Sequence, residues 1–159
     1  MSERRFARDC ELSQLLEEAL VDLGLSGSSV ACRLTTAHEV RRLNRRFAGV
    51  DAATDVLSFP ATDLGDSSGF RIPPGESEQL GDIVISVPTA VRQSEEAGGD
   101  PTAELCLLAV HGLLHLLGHD HYLAGEASRM TAATRQLLAR HAARRGVLPP
   151  QVPQLQPSA

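Results

Sequence analysis

Four of the six histidines fall within one short run, His111-Gly-Leu-Leu-His115-Leu-Leu-Gly118-His119-Asp120-His121. His111 and His115 are four apart, so on a helix both imidazoles leave the same face, one turn apart. Two metal ligands on one helix need that spacing. Gly118 supplies the left-handed residue that ends a helix cheaply, after which the chain can double back and bring His121 to the same ion. Three neutral imidazoles with one open position describe a catalytic rather than a structural zinc site, at one ion per chain. Three imidazoles also suit Ni2+ or Fe2+. His119 competes for the third place, but it follows Gly118 immediately and leaves almost no chain for a turn. Asp120 is placed to cap the turn or to orient a ligand imidazole. A lone histidine on an apolar face is more often a core residue; two buried among leucines cost free energy unless something coordinates or hydrogen-bonds them.

The same spacing occurs in H-x-x-x-H-x-x-G-x-x-H peptidases, which carry a Glu directly after the first His as general base. Here that position is Gly112. The metal cage is kept and the proteolytic base is missing. The spacing by itself supports a metal-dependent hydrolase, and a peptidase would need another acidic residue near the metal to replace the missing Glu. Asp55, Asp82 and Asp120 are candidate proton carriers, each with an easy structural role as turn, strand or cap residue.

The elements that must position these residues can be read from periodicity. Leu12, Leu15, Leu16, Ala19, Leu20 and Leu23 mark a first amphipathic helix stopped by Gly24. Ser29 to Thr35 alternates as a half-buried strand. Thr36-Ala-His-Glu39 is a capping box, opening a helix that buries Val40, Leu43 and Phe47. Arg41, Arg42, Arg45 and Arg46 lie off that stripe as an exposed basic flank. Asp55 to Pro60 and Leu80 to Ser86 read as short buried strands, separated by a long Gly-, Pro- and Ser-rich loop over 61–79. Ser86 with Pro88 opens another helix, ended by Gly98-Gly99. Asp100-Pro101 then opens a helix apolar nearly all round, which must be central, and it carries His111 and His115. A last helix buries Met130, Ala133, Leu137 and Leu138. The result is an α+β fold: a small mixed sheet of three to four strands, packed by about five helices in one domain over 1–146. The prolines from 149 onward make 147–159 a disordered tail.

The 159 residues are one domain's worth, and a net charge of -5 argues against non-specific grip on nucleic acid. All 15 basic residues are Arg, whose planar fork suits phosphate. Aromatic residues are only 3%, with no Trp, so RNA binding cannot rest mainly on base stacking. Three scattered cysteines without a C-x-x-C exclude a disulfide framework or thiolate zinc site and suit a reducing cytoplasm. No segment reads as a signal peptide or a membrane span.

The run His111, Gly112, Leu114, His115, Leu116, Gly118, His119, Asp120, His121 resembles the signature of the YbeY-type endoribonucleases. Leu43-Asn44, Asp51, Thr54-Asp-Val-Leu-Ser-Phe-Pro60 and Leu80-Gly-Asp-Ile-Val-Ile85 are similar to that family's second and third blocks. The resemblance spans about residues 28 to 140. It implies a zincin-like metal-binding helix and a zinc-dependent, single-strand-specific endoribonuclease acting in 16S ribosomal RNA 3′-end maturation and ribosome quality control. It implies RNA and small-subunit ribosomal proteins as partners, and no nucleotide cofactor or membrane. His111, His115 and His121 would act through the metal, and Arg45, Arg46 and Ser58 would meet substrate. Two departures stand out: Ala48 replaces an Arg common in the family, and Met1 to Cys10 is too short and polar for the family's usual first strand. Two other classes share the cluster: a metalloprotease-like zinc hydrolase, and a non-catalytic ribosome-associated zinc protein.

Overall fold

The computed structural model describes residues 3–61, 78–119 and 124–155, with the side chains of 3–8 and 10 left aside. Five helices pack on a three-stranded sheet: α1 (Glu3–Asp22), β1 (Ser28–Thr35), α2 (Ala37–Ala48), β2 (Val56–Pro60), β3 (Glu78–Ser86), α3 (Val87–Glu96), α4 (Pro101–Leu116) and α5 (Ala124–Arg144). The sheet order is β1-β3-β2, with β1 parallel and β2 antiparallel to β3. The expected mixed sheet is therefore present, at three strands. Most of the expected 61–79 loop lies outside the described residues, and its last two positions, Glu78 and Gln79, already belong to β3.

Local chemistry sets the helix starts. Asp100 accepts the Ala103 amide at 3.0 Å, and Pro101 occupies the first turn, where its missing N–H costs nothing. Ser86 opens α3 in the same way, its Oγ also 2.7 Å from the Thr89 hydroxyl. Thr36 accepts the Glu39 amide at 3.2 Å, but the Glu39 carboxylate does not complete a capping box, being taken by Arg33 and Arg42 at 2.8 and 2.7 Å. α1 begins far upstream of its apolar stripe: the N-terminal residues from Glu3 are helical, not a strand.

α4 is the hub. Leu105, Ala109, Val110, Leu113 and Leu114 are fully buried, and the helix touches α1, α3, α5, β2 and β3. It crosses the sheet face made by Ile83 and Ile85, so close that a Cβ on Gly112 would stand 2.7 Å from Ile83 Cγ2. Strand alternation turns Ser58 toward α4 and Phe59 to the other face, where it meets Phe47 of α2.

α1 and α5 are joined by a polar clamp. His141, almost fully buried, has Nδ1 2.6 Å from Glu18, while Arg144 reaches Asp22 at 2.5 Å and Arg145 pairs with Glu11. The Arg144 guanidinium holds the Asp22 carboxyl below the usual range. This histidine is a structural residue, distinct from the clustered four. The described residues 147–155 have no regular structure, yet Val152 and Leu155 pack against the core. Arg135 donates to the Val152 carbonyl at 3.0 Å and the Leu155 amide donates to Thr131 at 3.1 Å. Two apolar side chains among the prolines give this segment something to bury, and α5 satisfies its backbone. No helix among the described residues is long and apolar enough to cross a membrane.

Candidate active site

His111 and His115 are on the last turns of α4, half-buried, with their Nε2 atoms 3.0 Å apart and rings edge to face at 4.6 Å. The imidazoles thus converge through the same nitrogen. α4 ends in a Schellman turn: the Gly118 amide donates to the His115 carbonyl and the His119 amide to the Leu114 carbonyl, both at 3.0 Å, with Gly118 at φ 88°. The helix thus ends at Leu116, one residue after His115, as the glycine predicts. His121 and Asp120 lie outside the described residues, and within those residues no three His, Cys, Asp or Glu side chains converge.

The two rings open on a groove of about 620 Å³ along the free edge of β2, lined by Thr54, Asp55, Val56, Leu57, Ser58 and Pro60. Pro60 fits there because an edge position does not need its missing N–H. Ser58 does not point into open space. Its hydroxyl donates to the Gly112 carbonyl at 2.9 Å, tying β2 to the helix turn between the two histidines.

Of the three aspartates singled out as proton carriers, Asp55 is in the groove. Its Oδ1 accepts the Val56 amide at 2.8 Å and its Oδ2 faces Gln93 Nε2 at 3.4 Å. Asp82 is exposed and alternates with Ile83, so it faces away from α4. Sequence reasoning missed Glu104. With Asp55 and His111 it lines a second, apolar cavity of about 160 Å³ closed by Val152, Pro153 and Leu155. Burial, with the Asp55 charge, pushes the Glu104 carboxyl above its ordinary value. The available signal was its position seven residues before His111, two turns down the same face.

The arginine flank divides. Arg41 is held by Asp51 through two bonds of 2.8 and 3.1 Å, and Arg42 by Glu39. Arg45 and Arg46 make no ion pair among the described residues, and the Arg46 guanidinium lies 5.2 Å from the centre of the Phe47 ring.

The Ser58 contact makes a prediction. Ser58→Ala removes one hydrogen bond to a carbonyl that retains its helical position, a loss of about 1 kcal/mol. Urea unfolding should register it, with KM for any substrate within twofold. A KM rise above tenfold at unchanged stability would instead make Ser58 a substrate contact.

Known proteins similar to this chain share one description. The family described as Endoribonuclease YbeY matches residues 4–142. A relative from Moorella thermoacetica, named Endoribonuclease YbeY, is 45% identical over 129 residues, covering 80% of this chain and 83% of the relative. One of the same name from Chloroflexus aurantiacus is 47% identical over 113 residues, 70% of this chain and 72% of its own length. In fold, the chain is similar to a protein from Thermotoga maritima solved in solution, at TM-score 0.58 and 24% identity over 85% of this chain and 81% of that one. The family match over residues 4–142, with relatives 45% and 47% identical over most of both chains, shows that the chain belongs to the endoribonuclease YbeY family.

Proposed function

We propose that the chain is a single-strand-specific, metal-dependent endoribonuclease, cytoplasmic, acting in 16S ribosomal RNA 3′-end maturation and ribosome quality control beside small-subunit proteins. Residues 1–146 form its catalytic domain. The observation that carries the reading is the convergence of His111 and His115 Nε2 on the β2 groove. Their separation of 3.0 Å is close to the ~3.3 Å that two nitrogens keep around a tetrahedral ion at zinc distances. Imidazole donors and this spacing fit zinc, with His121 the third ligand and α4 a zincin-like metal helix; Ni2+ or Fe2+ suit the same donors. When bound, such an ion acidifies water and offsets charge gathering on a phosphoryl oxygen.

The chain's own groups do the rest. The groove seats an extended strand along β2. Arg45 and Arg46 supply the local positive charge that the whole molecule lacks, and Asp55 and Glu104 are placed to hold or pass a proton beside His111. In this reading Asp120 orients a ligand imidazole. Gly112 argues against a peptidase, because a side chain there would press on Ile83, with its Cβ 2.7 Å from Ile83 Cγ2.

The test is metal removal. Chelated and dialysed protein should cut a 3′-extended ribosomal RNA fragment at least ~100-fold more slowly, recover with one equivalent of zinc, and leave the same sequence uncut when base-paired. Full activity without metal, or equal cutting of the duplex, would overturn the reading.

A further inference from the structure

We propose that Phe47, backed by Phe59 and Arg46, forms a stacking step that seats one unpaired base of the RNA next to the histidine groove. The proposal rests on the RNA-cleaving reading and specifies where that substrate is gripped.

Phe47 is 55% exposed, an unusual position for a phenylalanine at the end of an amphipathic helix. It is not loose: its ring meets Phe59 edge to face at 5.4 Å, and the Arg46 guanidinium lies 5.2 Å from its centre. Two of only four phenylalanines in the chain are therefore spent on one surface step. A half-exposed ring held in place by Phe59 is what a base needs, since a base stacks on a π-face and tolerates any sequence. The Arg46 guanidinium, which lies over the ring, adds a cation for the flanking phosphate and a second planar surface.

The step is continuous with the site. Phe59 lies between Ser58 and Pro60, both of which line the groove, and alternation puts its ring on the opposite side of the same edge strand. A single strand crossing the β2 edge thus has a phosphate at the histidines and a neighbouring base over Phe47. A duplex, whose bases are already stacked, cannot use the step, so the step itself would favour single strands.

The absence of tryptophan makes the test direct. Phe47→Trp introduces a sole indole whose fluorescence reports stacking, alongside Phe47→Ala and Phe47→Leu in the zinc-loaded protein. Oligo(A) and oligo(U) RNA are the probes, with binding followed in parallel by anisotropy of end-labelled RNA. We expect quenching of the Trp variant, stronger with oligo(A). In single-turnover cleavage, Phe47→Ala should raise the half-saturating concentration about 5- to 100-fold, the worth of one stacked base, with the maximal rate within twofold. Phe47→Trp should bind as wild type does, and Phe47→Leu should behave as Ala does. Unquenched indole while labelled RNA is bound, or unchanged half-saturation in Phe47→Ala, overturns the step and leaves the nuclease reading standing. Failure of wild type to bind either RNA overturns both.

Discussion

His115→Ala is expected to lose its metal and to cut RNA at least ~1,000-fold more slowly, with the fold intact. A thousandfold corresponds to about 4 kcal/mol of transition-state stabilisation, within the range a Lewis-acidic ion supplies. The fold should survive because His115 is half-buried at the groove end of α4, while Leu105, Val110, Leu113 and Leu114 carry the packing of that helix. Removing the imbalance of two adjacent imidazoles should leave stability within about 1 kcal/mol. Metal content by elemental analysis, far-UV circular dichroism and single-turnover cleavage check the three parts separately. His119→Ala is the control, since its backbone amide ends the helix whatever its side chain is. If His119→Ala loses the metal and His121→Ala keeps it, the third ligand is His119. If His115→Ala loses its metal yet cuts at the wild-type rate, the activity belongs to a contaminant.

What could be read before any coordinates were in hand was mostly what neighbours in the chain decide. Caps at Ser86 and Asp100 and the stop at Gly118 depend on a few adjacent residues, and each is found as expected. The apolar girdle of α4 also forced its central place, and with it the pairing of His111 and His115. Contacts between elements were less visible. The stripe Val40, Leu43, Phe47 is a good helical repeat, but α2 docks through Val40 and Asn44, leaving Phe47 at the rim. Asn44 is buried because its amide donates to the Ala52 carbonyl at 3.0 Å, holding the return of the chain toward β2, which no hydrophobic periodicity could announce. The two arginine pairs suggested one basic face, yet Arg42 is neutralised by Glu39 three residues before it and Arg41 by Asp51 beyond the helix. Glu104 was hidden by an ordinary explanation, since an acid in a first helical turn needs no function to justify it. The N-terminal residues of α1 were hidden by their polarity, which carries no stripe to read.

Gly112→Glu would restore the H-E-x-x-H pattern of a zinc peptidase, and it should produce a destabilised protein with no peptidase activity. A helical Gly→Ala change alone gains about 1 kcal/mol in propensity. Here the new Cβ would stand 2.7 Å from Ile83 Cγ2 and 3.2 Å from Ser58 Oγ. Ile83 is fully buried and cannot step aside, so overpacking of about 1–3 kcal/mol cancels that gain or exceeds it. The rest of the glutamate then has to enter the same interface. Its carboxyl would have to enter between Ile83 and Ser58, neither of which is a cationic partner. Leaving an unpaired carboxylate in such a place adds several kcal/mol or forces α4 off the sheet. We therefore expect Gly112→Glu to lose at least ~3 kcal/mol in urea unfolding, Gly112→Ala to lose less than ~2, and neither to digest casein. The alanine variant isolates packing from charge: if it already unfolds the protein, contact with Ile83 alone closes the position. A stable, zinc-loaded Gly112→Glu protein that digests casein would mean that the helix can rotate position 112 into the groove, and that packing against Ile83 does not separate this chain from the peptidases. The glycine matters because it lets α4 lie against β3, and that closeness brings the two histidines to the edge of β2.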